Sequence, residues 1–184
     1  MLPPWKVTGE YYREFLYSSS STLYQPRSVL RSSTGKAHSM ETAGDWPAAS
    51  YRVLPHTADI TLQAWGRSRA ECLAQAVNAL VCTFTDPAEA SASEEVTVRF
   101  LPDCDDDLLA DVLEEVIYQG EVYERVPVDI EVTEEPDGDV LLHLATVATS
   151  EVTIIGAVPK AVALHELDFG RTGGIWRCHV TVDV

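Results

Sequence analysis

Residues 158–184 read VPKAVALHELDFGRTGGIWRCHVTVDV, two strand-like runs around a centre that holds three glycines. From Trp176 to Val184 every second residue is apolar or cysteine, and the residues between them are polar or charged. That period of two is typical of a β-strand with one buried face. Because the glycines suit a reversing turn, the two runs predict an antiparallel hairpin with strands at 158–169 and 175–184.

The same period of two occurs in five segments further upstream. A Pro-Asp-Gly-Asp turn at residues 136–139 joins two of these segments into a second hairpin. Pro55 interrupts the pattern near the start, so residues 55–59 are expected to form a loop that contains Asp59. The five predicted strands are residues 51–54, 60–65, 96–100, 126–132 and 140–147.

Two amphipathic helices are predicted between these strands. The first begins at Ser68, with Glu71 three residues later as the partner of a capping box. The second opens with the three aspartates at residues 105–107, which suit a helix start and the positive end of the helix dipole. Within it, we expect the charged side chains to face solvent: Asp111, Glu114 and Glu115.

The resulting element order is β-β-α-β-α-β-β-β-β, which predicts an α+β fold. We expect a largely antiparallel sheet with the two helices packed on one face. Residues 1–50 are rich in serine and have no sustained period, so they are predicted to be a flexible, disordered or poorly ordered extension of a domain over 51–184. Met40 lies where the charge changes sign, and we consider it as an alternative translation start; a native peptide from residues 1–39 would contradict this.

The charge of the chain restricts its partners. The net charge is −16, and all but two of the acidic residues follow Met40. Because nucleic-acid affinity comes mainly from Lys and Arg on phosphates, direct nucleic-acid binding is not expected. A basic protein partner or a cation is favoured instead.

The chain has no apolar run of about 20 residues, the length needed to span a membrane. It also lacks the apolar core of a secretory signal, so a cytoplasmic location is predicted. The four cysteines contain no C-x-x-C pair and are expected to be buried in a reducing compartment.

The end of the chain carries the candidate metal ligands. Asp183 is the penultimate residue, so its side chain lies next to the terminal carboxylate of Val184. A cation would relieve the repulsion between these two groups, and Asp59 could supply a third oxygen ligand. Oxygen ligands suit calcium, magnesium or manganese. The pattern alone leaves open a solvated terminal aspartate, and His56 and His165 could be accessory ligands or simply hydrogen-bonded residues.

Several segments together resemble the archease family in order and spacing. The resemblance covers about residues 51–184 and includes the H-T-A-D motif, the helix that begins at Ser68, and the last residues of the chain. The segments are residues 55–60, 106–118, 158–165 and 180–184. The chain departs from the family where Ala163-Leu164-His165 replaces the usual Thr-Tyr-His, and where residues 152–158 are apolar.

The resemblance implies a protein that is not itself an enzyme but activates the GTP-dependent tRNA-splicing RNA ligase. It would promote guanylylation of the ligase and multiple turnover. The metal ligands would be Asp59, Asp183 and Val184, with calcium as the expected cation and magnesium or manganese as alternatives. Lys160 matches a lysine associated with ligase activation.

Two other classes of function remain open from the residues. The first is a metal-dependent phosphodiesterase or nuclease that uses Asp59, Asp183 and His56. The second is a general chaperone-like binding module with no fixed client. The physiological metal, the oligomeric state and the RNA joined by the ligase are not determined by the sequence.

Overall fold

The computed structural model describes residues 48–55, 59–86 and 90–184 of the chain. The extension predicted over 1–50 and the Met40 hypothesis lie almost entirely outside these residues. The elements are β1 Ser50–Pro55, β2 Asp59–Gly66, α1 Arg69–Phe84, β3 Thr85–Asp86, β4 Glu94–Phe100, α2 Asp105–Tyr123, β5 Arg125–Glu134, β6 Val140–Ala148, a 3-10 turn at Thr149–Glu151, β7 Thr153–Ile154, β8 Ala161–Thr172 and β9 Ile175–Asp183.

The strands form antiparallel sheets, which confirms the predicted α+β class. A four-stranded sheet has the order β1-β2-β9-β8, and a three-stranded sheet has the order β4-β6-β5. Both predicted hairpins are present, as β5-β6 and β8-β9. The small β3-β7 sheet was not predicted, because strands of two residues are too short to show a period.

Both helices contact both larger sheets and share one core with them. Helix α1 packs on β1, β2 and β9 and also reaches β5, while α2 packs on β8, β4 and β5. The interior faces of the central strands supply fully buried side chains such as Leu62 of β2 and Val180 of β9. Among the described residues, no helix is long and apolar enough to cross a membrane.

Helix α1 begins at the predicted Ser68 cap and packs on β2, although the Glu71 side chain reaches back to the residue before the cap. The Ser68 hydroxyl accepts the Glu71 backbone N–H at 3.0 Å, and the Glu71 carboxylate accepts the N–H of Arg67 at 2.7 Å. Only a short turn separates the end of β2 from α1, so the helix must reverse direction. The 16-residue helix and the 8-residue strand have similar lengths, about 24 and 27 Å. Helix α1 therefore lies over β2 and its neighbours β1 and β9.

Two carboxylates of α2 hold the edge strand β8. Asp106 accepts the backbone N–H of Phe169, and Glu114 accepts that of Val162, both at 2.7 Å. These bonds satisfy donors that an edge strand would otherwise present to solvent. They also show that α2 runs alongside β8 towards its first residues.

The expectation that Asp111, Glu114 and Glu115 of α2 face solvent is wrong for Glu115. Its side chain is only 1% exposed and accepts a hydrogen bond from Gln119 at 2.8 Å. Asp111 and Glu114 are half-buried. The reason is tertiary packing. Strands β8, β4 and β5 cover a wider part of the helix surface than the apolar stripe of α2 predicts.

Replacing Glu114 with alanine should lower the free energy of unfolding by about 1–2 kcal/mol, because the Val162 N–H loses a charged acceptor. Urea denaturation measures this, and faster amide exchange at Val162 should accompany it. Glu121→Ala, at an exposed position of the same helix, is the matched control. Equal stability of the two variants would contradict the role of Glu114.

Candidate metal centre

The pairing of β2 with β9 brings two of the predicted ligands together. Asp59 and Asp183 are directly opposite each other at the end of this ladder. In an antiparallel pair, opposite residues project from the same face with Cβ atoms about 4.5–5.5 Å apart. Asp59 was predicted to lie in a loop, but it is the first residue of β2. Its position is set by pairing with the last strand of the chain, which local sequence does not reveal.

The chain terminus and Lys160 lie at the same end of the sheet. Val184, whose terminal carboxylate is expected to be the third ligand, follows Asp183 directly. The Lys160 backbone N–H donates to the Asp183 carbonyl at 2.9 Å, and the next residue, Ala161, pairs with Asp183 across β8 and β9. The Lys160 side chain is exposed. The backbone of Lys160 and the residues Asp59, Asp183 and Val184 therefore lie at one edge of the fold.

These carboxylates belong to the outer face of the four-stranded sheet, the face turned away from the helices. Along β2 and β9 this face carries matched polar pairs. The hydroxyls of Thr61 and Thr181 lie 3.5 Å apart, and the Gln63 amide nitrogen lies 3.3 Å from Nδ1 of His179. The alternate residues, such as Leu62 and Val180, are buried against α1. This alternation turns Asp59 and Asp183 towards solvent rather than into the core.

One of the two predicted accessory histidines, His165, does not join this group in the structure. His165 lies in a bulge of β8 at residues 164–167, where the register with β9 shifts. Its side chain is 93% exposed, and its Nε2 lies 3.7 Å from the Glu166 carboxylate. Glu166 has a positive φ of 62°, a conformation that helps the bulge protrude. His56 lies outside the described residues.

The donor set fits a hard cation. Each predicted ligand supplies only carboxylate oxygen, the donor that calcium, magnesium and manganese prefer. Within the part of the chain that the structure describes, no three side chains of His, Cys, Asp or Glu converge to hold a metal. A cation at this edge therefore requires the main-chain carboxylate of Val184 in addition to the two aspartates.

The cysteines do not provide soft thiolate ligands for a metal at this site. Cys178 lies on the buried face of β9, where its thiol interacts with that of Cys72. The hydrogen bond to Cys178 and burial raise the pKa of Cys72, so this thiol stays protonated and is a poor metal ligand. Cys82 and Cys104 are exposed, which corrects the expectation that all four cysteines are buried.

Comparison with known proteins gives consistent matches over the same residues. The family model described as the archease protein family (MTH1598/TM1083) matches residues 51–184. The chain is 43% identical over 137 residues to the "probable protein archease" of Mycobacterium tuberculosis, covering 74% of this chain and 76% of the relative. It is 30% identical over 139 residues to the "protein archease" of Methanosarcina mazei, covering 73% of this chain and 95% of the relative.

Two solved structures share the fold. The solution structure of protein 1598 from Methanobacterium thermoautotrophicum superimposes with a TM-score of 0.61 at 22% identity, covering 73% of this chain and 99% of that one. A crystal structure from Thermotoga maritima is described as an archease and possible chaperone. It has a TM-score of 0.53 at 23% identity, covering 71% of this chain and 94% of that one. At these identities the likeness establishes the fold alone.

Proposed function

Since the chain belongs to the archease family, we propose that it is a non-enzymatic, cation-binding activator of the GTP-dependent tRNA-splicing RNA ligase. The observation that supports this most directly is the β2-β9 register, in which Asp59 pairs with Asp183 beside the chain terminus. The same residues are the metal ligands that the resemblance to the family implies.

The cation would be held by the side chains of Asp59 and Asp183 and by the terminal carboxylate of Val184. Calcium is the first candidate, because it accepts several carboxylate oxygens in flexible geometry, and magnesium or manganese would use the same donors. When bound, the cation would offset the repulsion of like charges on directly opposite strand residues. It would thereby fix the last residues of the chain against β2.

Activation would be a shift in the population of a competent ligase state. A helper that binds this state more tightly than the resting state raises its population without reacting itself. A tenfold increase takes about 1.4 kcal/mol of differential binding. An acidic protein suits this role, because it repels RNA and can dock beside the nucleotide site of a basic partner.

The test is guanylylation of purified ligase with GTP, with and without substoichiometric amounts of the full chain. We expect faster formation of the nucleotide adduct and more than one ligation per ligase molecule. An unchanged rate would reject the proposal. Cleavage of RNA by this chain alone with added manganese, lost in Asp59→Ala, would favour a nuclease instead. Suppressed aggregation of unrelated proteins, independent of Lys160, would favour a general chaperone.

Lys160→Ala should reduce ligase stimulation by about tenfold or more while cation binding stays intact, because only the backbone of Lys160 contacts the Asp183 strand end. Guanylylation assays measure the first effect, and cation-dependent thermal shifts measure the second. Arg171→Ala, at an exposed position near the opposite end of β8, is the control. Full stimulation by Lys160→Ala would exclude the side chain from activation.

A C-terminal tag should weaken calcium binding by about tenfold or more, because it converts the Val184 carboxylate into a peptide carbonyl and adds bulk. Isothermal titration with calcium measures the change. The same tag at Met1 should leave the affinity unaltered. Equal affinities of the two tagged forms would remove the terminal carboxylate from the ligand set.

A further inference from the structure

A cavity of about 570 Å³ lies where the end of α2 meets the starts of β4 and β5 and the end of β6. Its volume falls in the range of cavities that hold small ligands. None of the residues proposed to hold the metal ion or to activate the ligase lines this cavity. The lining consists of residues 93–94, 120–121, 123–125 and 148–150.

Glu124 ends α2 and turns the chain into β5. Its φ of 53° is left-handed, a conformation that is usual at the end of a helix but that glycine or asparagine adopts at lower cost. The Glu124 carbonyl accepts the backbone N–H of Thr149 at 2.7 Å, which holds the 3-10 turn against the end of α2. The turn itself therefore does not require a carboxylate side chain at this position.

The cavity is lined by three carboxylates and one guanidinium. Arg125 forms an ion pair with Glu94, and its Cζ lies over the Tyr123 ring at 5.4 Å from the centroid. Among the described residues, the carboxylates of Glu121 and Glu124 form no ion pair. The last turn of α2 contains no basic residue, so the helix itself does not offset the negative end of its dipole. The cavity therefore favours a positively charged ligand.

A buried hydroxyl in the cavity wall lacks a hydrogen-bond partner. Thr149 lines the cavity, and its Oγ1 is closed to solvent and unpartnered within the part of the chain that the structure describes. The same holds for Oε1 of Gln119, the residue before Gly120 of the lining. Leaving a buried polar atom unpartnered is costly, so a ligand that donates a hydrogen bond is favoured here. Ammonium and guanidinium groups are donors without acceptors.

The carboxylates of the cavity do not converge on one point. Within the described ranges, no three side chains of His, Cys, Asp or Glu are close enough to share a metal ion. Separated carboxylates suit an extended cation with several donors instead. Arg125 already shows this mode of contact inside the chain, because its guanidinium meets both a carboxylate and an aromatic ring.

We propose that this cavity binds an extended organic cation through the carboxylates of Glu121 and Glu124. The ligand carries ammonium or guanidinium groups, and it is either a free polyamine or the basic side chains of a protein. Both sources present the same chemistry to the two carboxylates. The site shares no residue with the edge formed by β2 and β9, and it does not depend on activation of the ligase.

Titration calorimetry of the full chain with spermidine, and separately with a short arginine peptide with blocked ends, tests the site. Excess calcium is present throughout to occupy the proposed metal centre. Glu121→Gln and Glu124→Gln should each weaken binding by about fivefold, and the double variant by about tenfold or more. Glu131→Gln is the matched control, because it removes the same charge from an exposed position of β5 that pairs with His143. It should change the affinity by less than about twofold.

Glu124→Gly separates binding from stability. Glycine adopts the left-handed conformation at lower cost, so the free energy of unfolding should stay unchanged or rise. Binding should nevertheless weaken by about fivefold, as in Glu124→Gln. Urea denaturation and calorimetry measure the two effects. A variant that loses stability while keeping its affinity would make Glu124 a structural residue and overturn its role as a ligand.

The two probes identify the source of the cation. Binding of spermidine alone, dependent on Glu121 and Glu124, would assign the cavity to a free polyamine; binding of the peptide alone would assign it to a protein. Either result upholds the site. Equal affinities in the double variant and Glu131→Gln would reveal only a general attraction to an acidic chain and overturn the inference. Absence of binding by both probes would overturn it as well.

Discussion

Replacing Asp183 with asparagine is expected to abolish the stabilisation of the protein by calcium. An ion that binds only the folded state stabilises it by about 2.7 kcal/mol when its concentration is a hundred times its dissociation constant. For a domain of this size that corresponds to a shift in melting temperature of roughly 10 °C. Asp183→Asn should lose most of this shift. Asp59→Asn should behave in the same way, because the two residues pair across β2 and β9.

The effect of Asp183→Asn on the melting temperature without calcium can also be predicted. Without an ion, two like charges on directly opposite residues are destabilising, so Asp183→Asn should melt at the same temperature as the unmodified chain or slightly higher. Calorimetry with calcium and with chelator measures both effects. Asp168→Asn is the matched control, because Asp168 is an exposed aspartate of β8 that pairs with His179, four residues along β9 from Asp183. An equal calcium shift in Asp183→Asn and the control would refute the proposed ligands.

Ligase stimulation should fall together with calcium binding in Asp183→Asn. If activation depends on the ordered chain terminus, guanylylation should return to the rate of the ligase alone. Stimulation that persists without any calcium shift would separate the cation from the activation. In that case Lys160 would be the feature to retain in the proposal.

Replacing Gly156 with alanine is expected to destabilise the protein by about 3 kcal/mol or more, within the range of severe steric substitutions. A Cβ atom at this position would lie closer than any allowed contact to the backbone carbonyl oxygen of Thr83, and about 3.4 Å from the Cα of Phe84. These atoms belong to the end of α1 and cannot move as a flexible side chain can. The segment that carries Ile155 would have to leave the helix.

Gly170→Ala is the matched control for this substitution. Gly170 has no heavy atom within 4 Å of an added Cβ and lies in β8, far from the end of α1. Gly170→Ala should leave the free energy of unfolding unchanged or raise it slightly, because alanine restricts the conformations of the unfolded chain. Urea denaturation of both variants measures the difference. Equal stabilities would mean that residues 154–156 are not packed on the end of α1.

Much of the fold could be predicted because its signals are local. The capping box at Ser68 lies within four residues of sequence, and each hairpin turn lies between the strands it joins. Periodicity then separates strands from helices. The features that escaped prediction lack a local signal: β3 and β7 are too short, and the bulge at residues 164–167 interrupts a run that would otherwise be read as one strand.

The errors have a common physical origin in long-range packing. Glu115 is charged and was expected to face solvent, yet neighbouring strands bury it beside Gln119. Asp59 was expected in a loop, yet pairing with Asp183 makes it part of β2. In both cases, the environment of the residue is set by a strand that is distant in sequence. Propensity and periodicity describe only a residue and its close neighbours.

The sequence by itself determined the class of the fold, its helices and hairpins, the family, and the chemical type of the candidate ligands. These depend on residue type and short spacing, which are present in any conformation of the chain. Only the tertiary structure decided that Asp59, Asp183, Val184 and the backbone of Lys160 lie at one edge. This placement depends on the β2-β9 register, which arises from burying apolar faces together.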